Sequence, residues 1–227
     1  SDLRVSPACI SRSPQVYIGI LKQGMPSFFR QGVMSVSTMT LNWNARIFGD
    51  AAVAALAIVT KVFMFIQSVT IGFGQGFQPV LGYNYGAGRL DRVKESVVFS
   101  LRTCTIILTV AAVIGFAFSE QIITLFRDDP LVIEIGTRAF RYQCFTLPLA
   151  AVLTFANMFF QSLGKSFRAT ILAICRQGLF IPLVFLPPWR FGLTGLELTQ
   201  ACADLLGFLV SGSILLHYFL KEFGRET

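Results

Sequence analysis

Residues 72–96 read GFGQGFQPVLGYNYGAGRLDRVKES, a glycine-rich apolar segment followed by a basic one. The spacing fits neither GxGxxG nor GxxxxGK[ST], and no strand-like run precedes it, which argues against a nucleotide-binding loop. Pro79 favours a kink, and Gly86 and Gly88 predict a turn. Three other glycines are predicted to give a helix small faces for close packing, namely Gly72, Gly76 and Gly82. The segment therefore indicates the end of a long apolar helix and the loop after it.

The composition of the whole chain agrees with a membrane protein. Of its 227 residues, 54% are hydrophobic and 14% are charged, and the mean hydropathy is +0.65. A soluble domain carries about 25% charged residues, so too few remain here to cover a water-exposed surface. The net charge of +7 does not point to nucleic acid, because the basic residues lie between long apolar runs.

Six apolar segments are long enough to cross a bilayer as helices, which takes about 20 residues each. They cover approximately residues 25–48, 51–81, 93–118, 141–163, 167–186 and 193–220. Pro26 is predicted to mark the start of the first helix, and Asp50 to cap the second. Pro182 interrupts the fifth, which is predicted to end at Pro187 and Pro188. The sequence thus predicts an all-α membrane protein with six transmembrane helices.

Charges between these segments predict the orientation. One set of connections is rich in basic residues, including Arg89, Arg92, Lys165, Arg168 and Lys221. The opposite set is richer in acidic residues, including Asp50, Glu120, Asp128, Asp129 and Glu134. Basic loops stay in the cytoplasm, so both termini are predicted to be cytoplasmic. Residues 1–15 are interpreted as a polar connector, 16–220 as the membrane lobe and 221–227 as a cytoplasmic tail.

Polar side chains recur along one face of the first predicted helix, at Ser27, Gln31, Ser35, Thr38 and Asn42. A continuous polar face favours a water-lined path through the membrane. The predicted path residues are Gln31, Ser35, Thr38, Asn42, Gln75 and Asn157. The alternative is that these groups only form hydrogen bonds between helices, typically contributing about 1–2 kcal/mol or less each.

Two intramembrane charges, Lys61 and Asp204, are candidates for setting the local charge or for ion coupling. The alternative for Asp204 is that it only forms an ion pair with Lys61 or with Arg176. The five cysteines form no CxxC pair and His217 is the sole histidine. No catalytic or metal-ligand set is present in the sequence. The sequence therefore predicts neither an enzyme nor a metal site, and no organic cofactor.

Several stretches together resemble a known transporter family. They are GMPSFFRQG at 24–32, GDAAVAA at 49–55, GFGQGFQPV at 72–80, GYNYGAG at 82–88 and QSLGKS at 161–166. The chain after residue 15 resembles the second half of multidrug and toxic compound extrusion (MATE) transporters, in the multidrug-export branch of bacteria and archaea. Of these stretches, the glycine-rich helix end and the loop after it are the most specific.

The resemblance implies one lobe of a twelve-helix, two-lobe transporter in the plasma membrane. Such a transporter exports drugs or amphipathic cations in exchange for protons or sodium ions. The expected partners are a missing N-terminal six-helix lobe, the lipid bilayer and small amphipathic substrates. The chain is not expected to transport alone, although two copies could pair as a homodimer. Because residues 27–45 and 142–164 contain no acid, the coupling ion is expected to bind mainly in the other lobe, with Asp204 as a fallback.

Two other functions remain open at this point. One is a lipid-linked oligosaccharide flippase, since such exporters share the broader fold. A flippase needs a large cationic cavity, and the two basic residues Arg46 and Lys61 are weak evidence for one. A membrane scaffold or receptor that transports nothing is the third interpretation, in which the polar face contacts a protein neighbour.

Overall fold

A computed structural model describes residues 13–223, without the side chains of residues 22, 23, 26, 30, 166, 174–177, 179, 186–191, 220, 222 and 223. The described part contains seven helical elements and no strand. They are α1 (Pro14–Arg46), α2 (Asp50–Gly86), α3 (Leu90–Ala117), α4 (Ser119–Phe126), α5 (Pro130–Thr146), α6 (Leu149–Ser162) and α7 (Ser166–Phe223). The predicted all-α fold is confirmed.

Three helices in the described residues are long and apolar enough to cross a membrane: Asp50–Gly86, Leu90–Ala117 and Gly192–Phe219. The bent pair α5 and α6 forms a fourth span when it is taken as one unit. The other two predicted spans lie in α1 and in residues 166–191, which are helical but carry more polar residues. Each of the six predicted spans therefore corresponds to helical structure.

Several predicted helix boundaries were wrong. Helix α1 begins at Pro14 and runs through residue 26, so Pro26 does not start it. The fourth span was predicted to begin at Arg141, whereas α5 begins at Pro130, where the Asp129 side chain accepts a hydrogen bond from the Leu131 N–H. Asx capping followed by proline at the first helical position explains this earlier start. The short helix α4 was not predicted.

The start of α2 also differs from the prediction. Asp50 is the first residue of the helix, and the capping position before it is occupied by Gly49, whose φ of 98° lies in the left-handed region. Glycine adopts this conformation without a steric cost, so Gly49 makes the turn between α1 and α2. The Asp50 carboxylate lies in the first turn instead, where its negative charge is favourable beside the positive end of the helix dipole.

The fourth span is not straight. Helices α5 and α6 meet at an angle of 56°, with Pro148 between them and Leu149 opening α6. Pro148 has no N–H to continue the helical ladder, and the turn is closed instead by a bond from Ala150 N–H to the Leu147 carbonyl. The bend separates an outer segment with Glu134, Arg138 and Arg141 from an apolar inner segment.

Helix α7 is two helices joined at Gly192, whose φ of 59° and ψ of −137° leave the helical region. The break was predicted at Pro187 and Pro188 but lies beyond them, because only glycine adopts this conformation readily. The two halves fold back on each other, since the Thr199 hydroxyl donates to the Leu183 carbonyl at 3.2 Å. At the open end of this hairpin, Lys165 donates to the Tyr218 hydroxyl.

The core is formed where α2 packs against α6. Phe155 contacts Phe73 and Phe77 edge to face, with ring centroids 6.1 and 5.3 Å away. A Cβ at Gly74 would lie 2.2 Å from the Met158 sulfur, so Gly74 provides the close approach. Among the described residues nothing lies within 4 Å of a Cβ built at Gly72 or Gly76, so the predicted close packing at these two glycines is not observed within this lobe.

The lobe has two distinct ends. One end, called the inner end, carries the connections at residues 87–89 and 163–165 and the end of α7. The other, the outer end, carries the connection at residues 47–49, helix α4 and Gly192. The basic and acidic connections of the sequence are thus segregated to opposite ends, as the charge pattern predicted.

Candidate functional site

The candidate site is a cavity of about 600 Å³ at the inner end, called here the glutamine pocket. It lies between α1, α2 and α6. Its lining residues are Ser27, Ile71, Gln75, Gln78, Pro79, Met158, Gln161 and Ser162. None of them carries a charge, so the pocket offers amide and hydroxyl groups beside apolar surface.

A chain of hydrogen bonds crosses the pocket wall and links three helices. The Gln78 amide donates to the Gln161 amide oxygen at 3.2 Å, and the Gln161 amide donates to the Ser27 hydroxyl at 3.2 Å. Gln161 therefore bridges α2 and α1. An amide suits this position because one side chain both donates and accepts.

Gln75 is a pocket residue whose amide is open to a ligand. It lies one turn before Gln78 on α2 and is exposed. The face of α2 that holds these glutamines is fixed by the packing of Gly74 against Met158. The arrangement can bind an amphipathic molecule, with the amides hydrogen-bonding its polar groups and Ile71, Pro79 and Met158 contacting its apolar part.

The predicted polar face of α1 is only partly joined to this pocket. Ser27 lines it, whereas Gln31 and Ser35 are exposed on the side of the lobe and Thr38 and Asn42 are half-buried. The hydroxyls of Ser35 and Thr38 donate to the carbonyls four residues earlier. Their role in a path stays a prediction.

The other predicted site residues lie apart from the glutamine pocket. Asn157 donates to the Ala169 carbonyl at 2.6 Å and so joins α6 to α7. Lys61 is exposed on α2 and forms no ion pair with another described residue. Asp204 is fully buried in the second half of α7. Its suggested partner Arg176 has a side chain outside the described residues.

Sequence reasoning missed the buried ion pair between Arg138 and Glu197. The Arg138 guanidinium donates two hydrogen bonds, at 2.7 and 2.8 Å, to a Glu197 carboxylate that is fully buried. The pair joins α5 to the second half of α7 at the outer end. The one sequence feature that could have indicated this ion pair is the position of Glu197, a carboxylate near the start of the sixth predicted span.

The fold and the pocket define a class: an α-helical membrane lobe with a polar, uncharged cavity opening at one end. Comparison with known proteins identifies the family. The family profile described as MatE matches residues 26–186. The chain belongs to the MatE family, and the sequence resemblance is confirmed.

Curated relatives include multidrug export proteins named MepA. The chain is 25% identical over 220 residues to the protein of Staphylococcus saprophyticus, covering 97% of this chain and 48% of the relative. It is 27% identical over 205 residues to that of Staphylococcus aureus, covering 89% and 44%. The chain therefore spans about half the length of the curated relatives it matches.

Solved structures support the fold. The Vibrio cholerae MATE transporter VcmN, in a mutant form, matches with a TM-score of 0.85 and 18% identity, over 92% of this chain and 48% of that one. A MOP superfamily transporter from Pyrococcus furiosus matches with a TM-score of 0.83 and 20% identity, over 96% and 50%. Both likenesses cover one half of a larger transporter.

Proposed function

We propose that this chain is the C-terminal lobe of a secondary transporter that exports drugs or amphipathic organic cations. The observation that carries the proposal is the glutamine pocket: an uncharged cavity of about 600 Å³ in a lobe of the MatE family. Polar oxygens beside apolar surface attract an amphipathic cation without trapping it as a buried carboxylate would. The MepA names of the relatives point the same way.

The partner in this proposal is a second six-helix lobe, because the relatives are about twice as long. Exposed apolar side chains on α1, such as Phe28, Met39 and Trp43, leave surface for that lobe or for lipid. The transporter resides in the plasma membrane with both ends of this lobe in the cytoplasm, following the charge pattern. Export is driven by exchange with protons or sodium ions, bound mainly in the other lobe.

The test is an efflux assay on the whole two-lobe transporter, produced in bacteria that lack their main drug exporters. Gln75→Leu is expected to lower ethidium efflux about fivefold to tenfold, the effect of losing one hydrogen-bonding group worth about 1 kcal/mol or slightly more. Ser68→Leu is the matched control, because Ser68 is an exposed polar residue of α2 outside the pocket. It is expected to leave efflux unchanged.

Two results would overturn the proposal. One is equal efflux by the Gln75→Leu, Ser68→Leu and unaltered proteins, which would show that the pocket has no role in transport. The other is the absence of dye efflux together with translocation of a lipid-linked oligosaccharide in reconstituted vesicles, which would favour the flippase.

A further inference from the structure

A second cavity, of about 800 Å³, lies at the outer end of the lobe and is called here the outer groove. It is lined by Phe116, Glu120, Pro130, Ile133, Glu134, Thr137, Arg138, Arg141, Tyr142 and Phe145. It lies at the opposite end from the glutamine pocket and shares no residue with it. Its mixture of aromatic and oppositely charged side chains differs from the uncharged lining of that pocket.

Arg141 is held in a fixed position in the groove. Its Nε donates to the Ser119 hydroxyl at 2.9 Å, and its guanidinium lies 5.3 Å from the centre of the Phe116 ring. Phe116 in turn contacts Phe145 edge to face at 5.5 Å. No ion pair joins Arg141 to another described residue, so its charge is available to an anionic group.

The acidic residues of the groove are both exposed. Glu120 forms no ion pair with a described residue, whereas Glu134 forms a long ion pair of 4.0 Å with Arg138. Arg138 itself is neutralised by Glu197. Among the described residues the groove therefore presents one free positive charge, on Arg141, near negative charges on Glu120 and Glu134. A simple anion is repelled by the two glutamates and a simple cation by Arg141, whereas a group carrying both charges fits.

The groove lies at the membrane surface. Along helix α3, Lys94 near the inner end and Phe116 at the outer end are about 33 Å apart at about 1.5 Å per residue. This length matches the hydrocarbon thickness of about 30 Å. Phe116, Phe118 and Phe145 are exposed beside the groove, where an acyl chain can contact them.

We propose that the outer groove binds a zwitterionic phospholipid with a primary ammonium, such as phosphatidylethanolamine. Arg141 binds the phosphate, Glu120 and Glu134 bind the ammonium, and Phe116 and Phe145 contact the acyl chain. Such a lipid secures α3, α4 and α5 to one another at the outer surface.

The test is native mass spectrometry of the purified chain in detergent with equal amounts of palmitoyl-oleoyl phosphatidylethanolamine and phosphatidylglycerol. The unaltered chain is expected to retain phosphatidylethanolamine about fivefold over phosphatidylglycerol. Arg141→Gln is expected to lower retention of both lipids. Glu120→Gln, at an exposed position with little effect on folding, is expected to reduce the preference to near equality.

Arg46→Gln is the matched control, because Arg46 is an exposed outer-end arginine beside Trp43 in another groove. It is expected to keep the fivefold preference. Soluble glycerophosphoethanolamine is expected not to displace the lipid, since it lacks acyl chains. The proposal is overturned by equal retention of both lipids, by a preference for phosphatidylglycerol, by displacement with the soluble headgroup, or by a Glu120→Gln variant that keeps the full preference.

Discussion

Single side chains with a partner far away in sequence hold the lobe together at both ends. At the inner end Gln161 bridges Gln78 and Ser27 by neutral hydrogen bonds. At the outer end Arg138 and Glu197 form a bidentate ion pair across 59 positions of sequence. Neutral bonds contribute about 0.5–1.5 kcal/mol each, whereas a buried charge that loses its partner costs several times more.

Removing one member of the outer pair tests this difference. Arg138→Gln leaves the Glu197 carboxylate buried without its cation and is expected to lower the free energy of unfolding by about 2 kcal/mol. This is less than the roughly 3–5 kcal/mol of a fully buried pair, because Arg138 is 39% exposed. Thermal unfolding in detergent measures the change. Arg127→Gln, which breaks an exposed pair with Asp129, is expected to change it by less than about 0.5 kcal/mol, and equal losses in the two variants would contradict the account.

A substitution on the polar face of α1 tests whether this face lines the transport path in the whole transporter. Asn42 is half-buried near the outer part of that face. If the face lines the path, Asn42→Leu changes which dyes are exported, because a polar contact is replaced by an apolar one. A panel of cationic dyes measured in the efflux assay shows the change; an unaltered profile across the panel removes α1 from the path.

At the scale of elements, the breaks in the helices are harder to predict than the helices. Apolar composition alone was enough to predict α2 and α3, because their length and hydropathy identify them as membrane spans. The bend at Pro148 was missed because the residues around it are apolar on both sides, and their composition does not change. Pro187 and Pro188 predict the end of the fifth span, yet the chain turns at Gly192, where the backbone conformation strongly favours glycine.

Substitution of Gly192 is therefore expected to lower the free energy of unfolding. Gly192→Ala is expected to destabilise the lobe by about 1–2 kcal/mol, because a Cβ is disfavoured at positive φ. Gly212→Ala is the control, since Gly212 lies inside the second half of α7 with nothing within 4 Å of its Cβ position. It is expected to be neutral or stabilising by up to about 1 kcal/mol. Unfolding in detergent distinguishes them, and an equally tolerated Gly192→Ala would show that the turn is not required.

The candidate site was only partly predictable, because its contacts join residues that are distant in sequence. Gln75 is a path residue predicted from the sequence, and the structure places it in the pocket. The bridging role of Gln161 depends on the register between α2 and α6, which no local sequence pattern contains. Glu197 was missed because its partner Arg138 is distant in sequence.

For the whole molecule, we infer that a six-helix membrane lobe holds a water-accessible, uncharged pocket at its inner end, the end that the charge pattern predicts to face the cytoplasm. Charge segregation between the two ends, the MatE family match and the position of the pocket next to the basic connections all support this arrangement. In the proposed transporter, a second lobe closes the remaining wall of the path.

Thiol labelling of Gln75→Cys, in a variant whose five native cysteines are replaced, measures whether water reaches the pocket and from which side of the membrane. A membrane-impermeant maleimide is added to inside-out and right-side-out vesicles. Gln75→Cys is expected to react in inside-out vesicles at least about tenfold faster than Ile106→Cys, an exposed apolar position of α3, because thiolate forms readily only in contact with water. Labelling only from the opposite side, or equal rates at the two positions, would contradict the account.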